Sequence, residues 1–198
     1  MHGSDSLVDK PARLSFASLF LIGAGLVAVQ ASALAAMGHP LICACGAVKL
    51  WHGIVFSAEN SQHLSDWYTF SHVIHGLGFY LLLWLIAPRL PVGARLVIAI
   101  GLEAAWEIIE NTPLLMERYR QQALAEGYFG DSVINSLSDT LAMTVGFLLA
   151  RLLPVWSSIA LVIALELFVV AMIRDNLTLN IIQLIRPSAV ISKWQSGG

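Results

Sequence analysis

The chain has 198 residues, of which 57% are hydrophobic and only 12% charged, about half the charged share of roughly 25% found in soluble domains. Mean hydropathy is +0.73, and 11 basic against 13 acidic residues leave a formal net charge of −2. A soluble domain, a disordered chain and a nucleic-acid binder are excluded; an all-α, polytopic membrane helix bundle in a single domain fits.

Crossing a hydrocarbon core of about 30 Å takes about 20 apolar residues in a helix, and five stretches qualify. The first covers about residues 14–37 and carries no formal charge. Lys10 and Arg13 precede it and no small-residue cleavage site follows, so it reads as an anchor rather than a removed signal peptide. A hydrophilic segment, about 38–65, comes next and holds Cys43 and Cys45. A disulfide between residues so close would be strained, and two thiols alone make no zinc site. Gly38-His39-Pro40 interrupts the approach to a lipoprotein-like processing site at Ile42-Cys43, so the pair reads as free thiols in a loop. In the same segment Glu59, Asn60, Gln62 and His63 are candidates for a lid over a cavity mouth.

The second span runs from about 67 to 87, with Ser65 or Asp66 as N-cap and Pro88 as its stop. It carries His72 and His75 at i, i+3. The third, about 95–111 and closed by Pro113, carries Glu103, Glu107 and Glu110. At 100° per residue these three fall within about 60° of one helix face. An ionisable group at the bilayer centre costs very roughly 2.5–3.5 kcal/mol, so this stripe must face protein, water or a bound cation. A second hydrophilic segment, about 112–131, contains Arg118 and Arg120. In the fourth span, about 133–153, Asp131, Asn135 and Asp139 recur at i, i+4, i+8 among Ser132, Ser136 and Ser138. The fifth, about 155–173, holds Glu166 and ends at Arg174-Asp175-Asn176. Asp175-Asn176 is placed to cap a short interfacial amphipathic helix from Leu177 to Ile185, which Pro187 ends. Gly76, Gly78, Gly101 and Gly146 read as points where helices approach closely.

Long and short loops alternate, so both long segments lie on one side. Lys10, Arg13, Arg89, Arg95 and Arg151 are dense on the opposite side, whereas Lys49, Arg118, Arg120, Arg174, Arg186 and Lys193 are spread along longer segments. That density puts the N-terminus in the cytoplasm and the C-terminus outside. His75, Glu103 and Asp139 each lie eight or nine residues from the long-loop end of their spans, about 12–14 Å deep at 1.5 Å per residue. Three helices therefore bring acid and imidazole groups to a common level, in a cavity open to one face and sealed on the other.

Such a cluster can hold a divalent cation, although no Glu-x-x-His pair stands behind it. It can also relay protons. Arg118, Arg120 and Arg174 are candidate counter-ions that would grip an anionic headgroup, with Asp175 and Asn176 beside them. Catalytic roles fall to His72, His75, Glu103, Glu107, Glu110, Asp131, Asn135 and Asp139. The blocks Glu59-Asn60-Ser61-Gln62-His63, Ser71-His72-x-x-His75-Gly76, Trp106-Glu107-x-x-Glu110-Asn111-Thr112-Pro113, Gly130-Asp131-Ser132-x-x-Asn135-Ser136 and Arg174-Asp175-Asn176 resemble an uncharacterised family of bacterial inner-membrane proteins. The likeness covers roughly residues 40–187 and implies an inner-membrane location without implying a chemistry. The order His, Glu, then Asp139 and Gly146 in successive spans is similar to VanZ-like proteins, a group associated with glycopeptide resistance. Three functions follow as expectations: an enzyme or binder acting on an envelope lipid precursor, a proton- or cation-coupled transporter, and a scaffold that recruits a protein partner.

Overall fold

A computed structural model of the chain describes residues 14–122, 124 and 127–197; Lys10 and Arg13 lie outside them. The described residues form eight helices and no strand: α1 (Phe16–Ala36), α2 (Thr69–Ile86), α3 (Val92–Glu110), α4 (Pro113–Arg120), α5 (Val133–Leu152), α6 (Val155–Ile173), α7 (Leu177–Ile185) and α8 (Ala189–Gln195). Together they make an all-helical membrane bundle. Four of them, α1, α2, α5 and α6, are long and apolar enough to cross a membrane. The 19-residue α3 matches their length but carries Arg95, Glu103, Glu107 and Glu110, all of them buried.

Helix ends follow local chemistry. Ser15, Ser132 and Asn176 cap α1, α5 and α7 by accepting the amides of Ser18, Asn135 and Leu179. Pro154 holds Leu153 extended, separating α5 from α6. Arg174, in the left-handed region at φ 57°, closes α6. At the start of α2 the structure corrects the expected N-cap. Tyr68 occupies that position without a side-chain bond, while Asp66 accepts the Tyr68 amide at 2.7 Å and the Ser61 amide at 3.1 Å. Ser65 instead donates to the Leu50 carbonyl.

The segment 112–131 is not all loop. Pro113 serves as the first residue of α4, where its missing N–H costs nothing. The C-terminal tail likewise adds α8, capped by Ser188, beyond the expected α7. The third span starts three residues earlier than expected, at Val92, so Arg95 lies within the first turn of α3; it is buried with its guanidinium 5.7 Å from the Tyr80 ring centroid.

The two cysteines are a further correction, because they form a disulfide instead of remaining free thiols. Their Cα atoms are 5.1 Å apart, inside the bonding range. The chain turns there, with the Gly46 amide donating to the Cys43 carbonyl at 2.9 Å and Gly46 at φ 78°. An extended strand would also put residues i and i+2 on one face but about 6.6 Å apart; the turn shortens that distance into bonding range.

The closest packing is between α2 and α5, with α3 held against α1 and α5. A Cβ on Gly76 would collide with the backbone of Met143, and one on Gly146 with that of Val73. These two glycines set the interhelix distance as expected. Gly78 and Gly101 do not: Gly78 faces open space, and Gly101 would meet only the Leu26 side chain at ordinary distance. Away from the long loops, Leu83, Ala99, Met143 and Phe147 form an apolar core flanked by Phe79, Tyr80 and Ile100. This core seals one half of the bundle and leaves the other to polar groups.

Candidate functional site

His72 is the hub of the polar half. From α2 its Nδ1 lies 2.6 Å from Glu103 Oε1 and 3.3 Å from Glu107 Oε1, while its Nε2 is 3.8 Å from Asp139 Oδ2. One helical turn on, His75 Nδ1 meets both oxygens of Glu103 at 3.2 and 3.1 Å. Glu103 thus fixes two imidazoles through their Nδ1 atoms, leaving the Nε2 of each turned elsewhere. The i, i+4, i+7 stripe on α3 explains this geometry, since one face presents Glu103 and Glu107 to α2 and Glu110 to the loop side.

The cluster continues upward. Glu110, Glu107 and Asp131 bring carboxylate oxygens within 4.8 Å of one another, and a His72 ring nitrogen comes equally close to oxygens of Glu107 and Asp139. Asp131 accepts hydrogen bonds from the Tyr128 hydroxyl at 2.8 Å and from Asn111 Nδ2 at 2.6 Å. Asp139 accepts from the Thr69 hydroxyl at 3.1 Å. Glu107 is fully buried and accepts from Ser136 Oγ at 2.6 Å through Oε2, but its Oε1 has no hydrogen-bond partner. A buried carboxylate oxygen without a donor is costly, and it marks the place where a proton or a cation is wanted.

A cavity of about 670 Å³ opens onto this cluster. His72, His75, Glu110, Asp131 and Asp139 give it a polar floor, and Asn60, Ser61, Tyr68 and Asp175 part of its rim. Phe79, Leu102, Trp106, Ile109, Ile181 and Ile185 give it an apolar wall. That wall runs out to the molecular surface, where Leu102 is 41%, Ile109 48% and Ile185 76% exposed. Among the described residues, none that lines the cavity is a lysine or an arginine.

Of the residues singled out from the sequence for catalytic roles, all but Asn135 converge; Asn135 instead donates through Nδ2 to the His63 carbonyl at 2.7 Å and does not line the cavity. The proposed gripping set largely disperses. Arg118 and Arg120 donate to the backbone carbonyls of Leu184 and Tyr128, and Arg174 to that of Trp194. Gln62 ties the long loop to the Gly130 carbonyl at 2.6 Å, and Asn176 caps α7. Glu59 pairs with Lys49 and His63 on the outer loop, where those two partners hold its pKa down at about 2. Only Asn60 and Asp175 of this set line the cavity. Burial raises Asp175 to about 6, although the hydroxyl of Tyr68, 3.3 Å away, donates to it. Burial and nearby carboxylates push the Tyr128 phenol upward, so it stays a donor to Asp131. Glu166 belongs to the frame: its two oxygens accept the amides of Leu177 and Thr178 at 3.1 and 3.2 Å, holding the start of α7.

Sequence reasoning missed Gln30. It is fully buried in α1, donates to Ser136 Oγ at 2.7 Å and accepts from Thr140 Oγ1 at 2.9 Å, which holds Ser136 in place to serve Glu107. A single amide in an otherwise apolar span was the available signal. His39 was missed too; its ring nitrogens face the carbonyls of Asp131 and Asn111 at 3.1 Å each.

A family model described as "Protein of unknown function (DUF2585)" matches residues 34–197. A UPF0314 protein of Sphingopyxis alaskensis is 54% identical over 179 residues, covering 90% of this chain and 95% of the relative. A UPF0314 protein of Paracoccus denitrificans is 54% identical over 81% of this chain and 83% of its own. One of Brucella anthropi is 47% identical over 96% of each. No solved structure matches.

Proposed function

The chain belongs to the DUF2585 family of bacterial proteins, and from that premise we propose that it is an inner-membrane protein whose His/Glu/Asp site takes the polar head of an envelope lipid and performs acid–base chemistry on it. The observation that carries this reading is the two-sided cavity. Its apolar wall continues through Leu102, Ile109 and Ile185 onto an exposed apolar surface, while its floor is a cluster of imidazole and carboxylate groups. An amphiphile fits such a space with its chain along the wall and its head on the floor. In this reading α3 is the fifth span, and its charges are tolerated because they point into the bundle.

The long loops face the periplasm. Support comes from the Cys43–Cys45 disulfide on that side, since disulfides persist in oxidising compartments, and from Arg89 and Arg151 at the opposite end. The N-terminus is then cytoplasmic and the C-terminus periplasmic.

Because none of the described residues lining the cavity is Lys or Arg, an anionic head enters with a divalent cation. His72, Glu107 and Asp139 are the residues to hold that cation, and the unpartnered Glu107 Oε1 is its first ligand. His75 is the acid–base group. It is oriented by Glu103 through Nδ1 and partly exposed to the cavity, in the manner of a carboxylate-fixed imidazole. A transporter would need a path through Leu83, Ala99, Met143 and Phe147, and that core closes the bundle.

The test is the lipid composition of strains whose chromosomal copy carries Glu107→Gln or His75→Ala. Each variant is expected to accumulate one lipid species that the wild-type strain turns over. Lipid profiles identical to wild type in both strains, with the variant proteins present at normal abundance, would refute the reading.

A further inference from the structure

Outside the cavity, on the long loop between α1 and α2, a second group of ligand-type side chains has been brought together. Cys43, Cys45, Glu59 and His63 offer two sulfurs, a carboxylate oxygen and a ring nitrogen, all within 4.8 Å of one another. Two local devices produce this. The turn closed by Gly46 gathers the sulfurs, and the loop then returns so that the Leu64 amide donates to the Lys49 carbonyl at 3.1 Å. That return sets His63 Nδ1 against the Lys49 amide at 3.2 Å and His63 Nε2 against Glu59 Oε2 at 2.9 Å. Cys43 and His63 are buried, Glu59 is half-buried and Cys45 is exposed, so the group has a protected floor and one open side.

Two sulfurs, one imidazole and one carboxylate form a four-ligand set of the kind that selects a borderline, tetrahedral ion over magnesium or calcium. We infer that reduction of the Cys43–Cys45 disulfide turns these four side chains into a zinc site, with the disulfide serving as its redox lock. A dithiol reductant supplies two electrons and two protons. The S–S bond breaks to give two thiols, and the reductant leaves as its own disulfide. Zinc then displaces the two thiol protons to the solvent and binds two thiolates, Glu59 and His63 Nε2. Coordination through Nε2 moves the ring proton to Nδ1, so the Lys49 amide contact is exchanged for the metal bond. The three anionic ligands exceed the charge of the ion by one, and the Lys49 ammonium already beside Glu59 neutralises that excess.

The site would act on the cavity through the chain itself. Asn60 and Ser61, between the two ligands Glu59 and His63, line the cavity, and the neighbouring Gln62 and the His63 carbonyl are tied to Gly130 and Asn135. A metal bridging residues 59 and 63 clamps that rim. The inference stands independently of what the cavity binds.

The experiment is cobalt titration of the full-length protein in detergent, before and after treatment with a dithiol reductant, followed by absorption. The reduced wild type is expected to show thiolate-to-metal charge-transfer bands that saturate at about one thiolate-bound cobalt per chain, and excess zinc should remove them. The oxidised protein and the Cys43→Ser, Cys45→Ser double variant should show no such bands. His63→Ala should weaken cobalt binding at least about tenfold, a loss typical of disturbing a metal site. Since His63 also packs the loop, protection is read separately: zinc should shield both thiols of the reduced wild type from alkylation. Absence of the bands in the reduced protein, their presence in the oxidised protein or the double variant, or thiols that alkylate equally fast with zinc would each overturn the inference.

Discussion

Glu107 and Asp175 show how differently two buried carboxylates can be used. Glu107 has one oxygen satisfied by Ser136 and one with no donor, beside a histidine that three acids share. Such an arrangement costs the fold stability, because a buried carboxylate oxygen lacks a donor. Asp175 is satisfied at both oxygens, by Tyr68 and by Gln195 Nε2 at 3.1 Å, and pins α8 to the end of α6. Burial raises its pKa from 3.8 to about 6. A carboxyl raised in the folded state contributes stability that is fully present below its unfolded pKa and lost as pH rises through about 6. Asp175→Asn removes this dependence. Relative to wild type, the variant should gain on the order of 2 kcal/mol between pH 4 and pH 8. Thermal unfolding in detergent across that range checks this, and parallel curves for the two proteins would contradict it.

At the scale of helices, the α2–α5 contact carries the site, because it sets His72 against Asp139 and closes the apolar half below them. Gly76 and Gly146 allow that contact by letting backbone meet backbone. Gly146→Ala should push the pair apart and destabilise the bundle by about 1–3 kcal/mol or more. Gly78→Ala, with open space around it, should be neutral or gain up to about 1 kcal/mol from helix propensity. Comparison of both variants by thermal unfolding separates packing from propensity, and equal effects would show that the close approach is not what Gly146 provides. The same pair shows what a sequence can reveal. A glycine inside a span signals closeness only if it faces a neighbour, and facing is set by the three-dimensional register. The positions of the five long helices were legible because apolar length and proline stops are local properties. α4 and α8 were not, because short helices rest on caps and tertiary contacts rather than on a hydrophobic period.

For the molecule as a whole, convergence of acid and imidazole groups from α2, α3 and α5 was legible from depth alone, since carboxylates in apolar spans have few places to go. The fate of the arginines was not. Arg118, Arg120 and Arg174 looked like counter-ions by charge, yet each is held by a backbone carbonyl that no sequence pattern announces. None of the three is among the described residues that line the cavity. The disulfide was also hidden, because it depends on a turn at Gly46 rather than on spacing. What results is a bundle with one sealed half and one cavity whose apolar wall reaches the molecular surface.

That cavity is tested most directly by native mass spectrometry of the protein released from its own membrane, wild type beside Glu107→Gln. The wild type is expected to carry about one molecule per chain of a single lipid class, enriched over its share of the bulk membrane, and the variant to carry it only at that share. Bound lipids that mirror the bulk membrane in both proteins would contradict it.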